Sequence, residues 1–80
     1  MTKAQLRKLR KLALDQIAWE ENALVETRQK WADHPIIIEG NTERAERWLA
    51  YYRNQIAIID FALEHGRNPR RSEVTQEPIP

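Results

Sequence analysis

The side chains with the means to do chemistry are few: the carboxylates Glu20, Glu21 and Glu26, the histidines His34 and His65, and one serine, Ser72. A hydrolase needs a nucleophile held by a base, yet Ser72 stands among Arg70, Arg71 and three late prolines, outside any strand-turn-helix context. A phosphate-cradling loop needs clustered glycines, and Gly40 and Gly66 stand alone. Neither histidine follows a glutamate at the three-residue spacing that places both on one helical face around a metal pair. Cysteine is absent, which removes thiolate ligands, disulfides and cysteine nucleophiles together. No catalytic residue, metal site or cofactor is therefore assigned. The glutamates read as helix surface and register features, because acid-base catalysis also needs a concave site.

The bases form the next candidate group. Residues 1–14 carry five bases and no acid, residues 15–66 five bases against ten acids, and residues 67–80 three bases against two acids, for a net charge of +1. If the chain folds back on itself, Arg7, Lys8, Arg10 and Lys11 lie near Arg67, Arg70 and Arg71 and make one end basic. Such an end suits phosphates or an acidic protein surface, since guanidinium groups donate bidentate hydrogen bonds. No aromatic residue lies between these bases to stack a nucleobase.

The elements that must position these groups are helical. Residues 2–33 hold no glycine or proline, and Leu6, Leu9, Ala13, Ile17, Leu24 and Trp31 recur at the 3-4 spacing of one helical face. Thr2 and Gln5 have capping-box spacing, and Pro35 ends the run. A second helix is predicted over about 42–65, with Asn41 or Thr42 as its N-cap and Gly66 as its C-cap. Its stripe is Ala45, Trp48, Leu49, Tyr52, Ile56, Ile59 and Leu63. A short connection makes the two helices antiparallel neighbours, so the fold class is all-α, a long helical hairpin over residues 1–66. Residues 67–80 hold three of the four prolines and read as a disordered tail.

Each stripe is wider than one facing helix can cover. Leu14, Ala18, Val25, Leu12 and Trp19 widen the first, and Tyr51, Ile58, Phe61 and Ala62 widen the second. Below roughly 70–80 residues a single core seldom supplies more than about 3–5 kcal/mol. The expectation is a homodimer that completes a four-helix bundle.

Several positions then stand out. Glu20 interrupts the main stripe of the first helix and needs a polar neighbour. With the turn centred between Asp33 and Thr42, level positions have numbers summing to about 75, which sets Glu20 beside Tyr52 and Gln55 as a polar core layer. Trp19 and Tyr51, on the flanks, are candidates for partner binding. Pro35-Ile36-Ile37-Ile38 reads as an extended apolar connection, whose isoleucines Ile36, Ile37 and Ile38 either plug the bundle end or form a recognition tip.

Met1 to Gln5 lack a signal-peptide pattern, and no run approaches the roughly 18 apolar residues of a membrane span, so a cytoplasmic protein without membrane partners is expected. The leading functional expectation is a non-enzymatic protein–protein interaction module, a small helical adaptor or inhibitor of phage-accessory size. It would act as a homodimer on an unidentified protein. Nucleic-acid or anionic-nucleotide binding through the basic end is the alternative, and a structural assembly subunit the third.

Overall fold

The computed structural model describes all residues, 1–80, and contains two long helices, α1 (Lys3–Lys30) and α2 (Pro35–His65). α1 begins where its capping box predicts. The Thr2 hydroxyl accepts from the Gln5 backbone N–H at 3.2 Å, and the Gln5 side chain accepts from the Thr2 N–H at 2.8 Å. Two otherwise orphaned donors are thereby satisfied. α1 stops at Lys30, three residues before the predicted end, in a turn closed by the His34 N–H donating to the Trp31 carbonyl at 2.8 Å.

α2 departs from the sequence reading at its start. It begins at Pro35 and not at Asn41 or Thr42, so Ile36, Ile37 and Ile38 form its first turn and are not an extended connection. The ladder is set by the His34 carbonyl, which accepts from Ile37 and Ile38 at 3.1 and 3.2 Å. Proline fits the first helical position because its missing N–H would be unpaired there anyway. β-Branched residues lose only a few tenths of a kcal/mol each in a helix, less than continuing a ladder returns. At the other end Gly66 takes the left-handed conformation at φ 69°, and its N–H reaches the Ala62 carbonyl. That φ is strained for any residue with a Cβ, which is why the helix closes on this glycine.

The helices pack antiparallel as a hairpin with principal extents of 49 × 25 × 14 Å. A 14 Å dimension is little more than one helix diameter, so the molecule is a single layer. A single layer has no true interior. Only six residues are buried, Ala13, Glu20, Ala45, Leu49, Ile59 and Ala62, and no large side chain is fully enclosed.

The tight connection, Trp31 to His34, also moves the level positions. Arg10 pairs with Asp60, and Leu9, Ala13 and Gln16 share a groove with Tyr52, Gln55 and Ile59, so level numbers sum nearer 70 than 75. Trp31 and Trp48, on the two facing stripes, find separate partners. Trp31 meets His34 edge-on, while Trp48 stacks on Tyr52 and meets Tyr51 edge-on.

After α2 the chain forms no further helix or strand but runs back beside it. Asn54 donates to the Thr75 carbonyl and accepts from the Glu77 N–H at 2.9 Å, a side-chain amide acting as a short stretch of strand edge. No helix is long and apolar enough to cross a membrane.

Candidate functional site

The two flanks of the hairpin differ in chemistry. On one, ion pairs span the helices: Arg10 Nε lies 2.8 Å from Asp60 Oδ1, and Arg53 lies 3.6 Å from Glu21. Both pairs are well exposed, so each contributes little to stability. Leu14 and Val25 are also exposed on this side, three turns apart.

The other flank is apolar and concave. Met1, Leu6, Leu9, Leu12, Ala13 and Gln16 face Tyr51, Tyr52, Gln55, Ile58 and Ile59 across a groove of about 350 Å³. Helical periodicity creates it: Leu9, Leu12 and Gln16 climb one edge of α1, and Trp19, seven residues beyond Leu12, continues that edge. Leu12 is 52 % and Trp19 58 % exposed, large apolar side chains left in water by a hairpin that has nothing to cover them. Tyr51 is half-buried at the opposite lip, within a ring cluster of Trp48, Tyr51 and Tyr52 with centroids 5.5 to 5.8 Å apart. The cluster holds Tyr51 in place, so little side-chain freedom remains to be lost on binding.

Of the remaining predicted positions, Glu20 is indeed buried, at 7 % exposure, but no hydrogen bond joins it to Tyr52 or Gln55. The shifted level places it in a smaller cleft of about 150 Å³ with Asn41, Arg44 and Ala45, while Tyr52 and Gln55 line the apolar groove. Every enclosed side-chain oxygen or nitrogen has a partner, so the unpaired carboxylate of Glu20 keeps contact with solvent through that cleft. An apolar replacement of similar length removes the desolvation cost without breaking a bond. Glu20→Met should accordingly hold or raise the melting temperature, by up to roughly 4–8 °C for each kcal/mol gained in a domain this small. A fall of that size in a thermal melt would show that the carboxylate bonds a partner after all.

The isoleucines of the first turn of α2 divide. Ile36 is 83 % exposed, Ile37 is also exposed, and Ile38 alone is half-buried. They do not plug the end of the hairpin as a group. Helical geometry explains the split, since consecutive residues point about 100° apart.

The basic end is partly neutralised from within. Arg10 is held by Asp60, Lys11 by Asp15 at 3.2 Å, and Arg67 by a bidentate pair with Glu73 at 2.9 and 2.8 Å. Lys3 and Arg67 do meet at one cleft, beside Leu6 and Gly66, so the two chain ends converge as the hairpin requires. Arg7, Lys8, Arg70 and Arg71 have no acidic partner within 4 Å.

Glu73 also accepts from the Arg70 N–H at 3.0 Å, and its carboxyl is lowered from the usual range to about 2, first by the hydrogen bonds from Arg67 and then by that backbone bond. A carboxylate whose folded value is depressed contributes stability that is complete above its unfolded value, near 4.5, and disappears as pH falls through about 2. The Arg67–Glu73 clamp should therefore remain intact at pH 5 and open as pH falls through about 2, which side-chain NMR titration of Glu73 measures directly. A Glu73 midpoint above 4 would show that the clamp does not persist in solution.

No three His, Asp or Glu side chains come together in a group able to hold a metal ion. Comparison with family models, curated proteins and solved structures finds no match to this chain. Function rests on the geometry alone.

Periodicity marks Trp19 and Tyr51 as flank residues but does not join Tyr51 to Leu9, Leu12 and Ile58 in one groove, whose edge Trp19 extends. The signal was present in the 3-4 spacing of Leu9, Leu12, Gln16 and Trp19; what was lacking was which flank of α1 shares a side with which flank of α2.

Proposed function

We propose that this protein is a non-catalytic protein–protein interaction module that works as a homodimer, a small helical adaptor or inhibitor acting on a protein target. The observation that carries the reading is the combination of a single-layer hairpin with a continuous exposed apolar groove, Leu9, Leu12, Tyr51 and Ile58 among its walls. Exposed apolar surface organised into a concavity marks association, whereas scattered single residues do not. Trp19 and Tyr51 add the aromatic residue types that dominate binding hot spots.

Phosphate or nucleic-acid binding through Arg7, Lys8, Arg70 and Arg71 is the lesser reading. Three of the eight bases gathered at that end already have acidic partners within the chain.

The test is light scattering over a range of concentrations and salt, together with capture of host proteins before and after nuclease treatment. A stable dimer that retains a stoichiometric protein after nuclease supports the proposal. Recovery that depends on nucleic acid, and that weakens steeply as salt rises, replaces it with phosphate recognition.

A further inference from the structure

We infer that the groove flank of the hairpin is covered by a second copy of this chain lying with its turn at the opposite end, so that α1 packs on the partner's α1 and α2 on its α2. This rests on the homodimer reading above and adds the face and the direction.

Area supports a copy of this size. The protomer exposes 6163 Å², against about 5,000 Å² for a compact folded chain of 9.5 kDa. The excess, roughly 1,100 Å², is comparable to the ~800 Å² per partner of a standard stable interface. A domain also needs two packed layers around its core, and this chain supplies one.

Charge selects the face. The flank crossed by Arg10–Asp60 and Arg53–Glu21 would bury two ion pairs, with desolvation costs that their attraction does not reliably repay. Where the groove runs, from Met1 to Gln16 and from Tyr51 to Ile59, the other flank presents Leu6, Leu9, Leu12, Tyr51 and Ile58 with only amides and phenols among them. Interface cores are depleted of charge in the same way.

Charge also selects the direction. Residues 1–14 and 57–74, at the end away from the turn, carry eight bases and three acids; residues 20–50, toward the turn, carry seven acids and four bases. Turns at opposite ends lay the basic end of one copy over the acidic end of the other. Turns at the same end would stack like on like, which costs energy in proportion to the unscreened charge. In the favoured arrangement the twofold axis crosses the helices near the centre of the apolar edge. Gln16, midway between Leu12 and Trp19, then meets its own counterpart, as does Tyr51, which is nearly level with it across the groove.

The chain has no cysteine, so an introduced thiol is the only one present. The experiment takes three single variants of the full chain, Gln16→Cys and Tyr51→Cys on the groove flank and Ala18→Cys on the far side of α1. Each is weighed in solution by light scattering when reduced and then oxidised. Gln16 and Ala18 are both exposed, which leaves the fold of those two variants intact. The expected result is a mass of two chains for all three and roughly tenfold more disulfide-linked dimer from Gln16→Cys than from Ala18→Cys, because thiols whose Cα atoms lie beyond about 7 Å do not bridge. A dimer mass with linkage from Ala18→Cys alone overturns the face. A dimer mass in which Gln16→Cys links only to Tyr51→Cys, in a mixture of the two, overturns the direction. Both results leave the homodimer standing. A mass of one chain at every concentration overturns the inference and the homodimer together.

Discussion

Leu12→Asp is expected to turn the protein into a monomer without unfolding the helices. Leu12 is 52 % exposed in the protomer, so a carboxylate there stays hydrated in the free chain and costs the hairpin little. In the proposed dimer the same carboxylate enters the charge-free strip of Leu9, Leu12 and Tyr51, and twofold symmetry places it there twice. Removing an unpaired carboxylate from water costs several kcal/mol after relaxation, and each 1.4 kcal/mol is a tenfold change in dissociation constant. The dissociation constant should rise by more than about a hundredfold on that basis. Sedimentation equilibrium over a dilution series reads it, with far-ultraviolet circular dichroism to show that helix content persists in the monomer. An unchanged dissociation constant would place the interface elsewhere on the hairpin. Because the association stabilises the folded state by mass action, the melting temperature of the parent protein should rise with concentration and that of Leu12→Asp should not.

Leu49→Ala should have the largest effect on the hairpin itself. Leu49 is the only leucine among the six buried residues. Truncating a buried leucine to alanine costs about 2–5 kcal/mol, from lost transfer energy and the cavity left behind. A single core of this size holds about 3–5 kcal/mol in total, so the variant should be substantially unfolded at room temperature when dilute. Leu14→Ala removes the same atoms from an exposed position and should stay within about 0.5 kcal/mol of the parent. Urea unfolding followed by circular dichroism separates the two, and equal midpoints would mean that Leu49 is not part of a packed core.

The two variants probe different layers of one design. Leu49 belongs to the seam where α1 and α2 cover each other; Leu12 belongs to the surface that a hairpin leaves over. The ion pairs on the opposite flank do not substitute for either. Both are exposed and screened, so their main effect is to keep that flank polar.

The two helices, the start of α1 and the end of α2 were legible because they follow from local rules. The 3-4 recurrence from Leu6 to Trp31 needs no tertiary information, and neither does the Thr2–Gln5 cap nor the left-handed Gly66. The start of α2 was not legible, because two local rules point in opposite directions there. Pro35 excludes helix before it and permits helix after it, while the β-branched isoleucines favour extended backbone. The ladder begun at the His34 carbonyl decided otherwise. That shift of about six residues shortened the connection and displaced every level pairing along the hairpin. Glu20 consequently lies with Asn41 and Arg44, and Tyr52 and Gln55 line the groove.

By itself, the sequence determined that this chain is two amphipathic helices folded into a hairpin, with more apolar surface than one hairpin can bury. Composition and periodicity are enough for that, since each helix carries its pattern whatever lies beside it. Only the tertiary structure decided the level at which the helices pair and which flanks share a side. Arg10, Glu21, Arg53 and Asp60 therefore gather on one flank, and Leu9, Leu12, Tyr51 and Ile58 on the other. The physical reason is that antiparallel packing leaves level and rotation free until a turn length is chosen, and the turn length depended on whether Pro35 ended one helix or began the next.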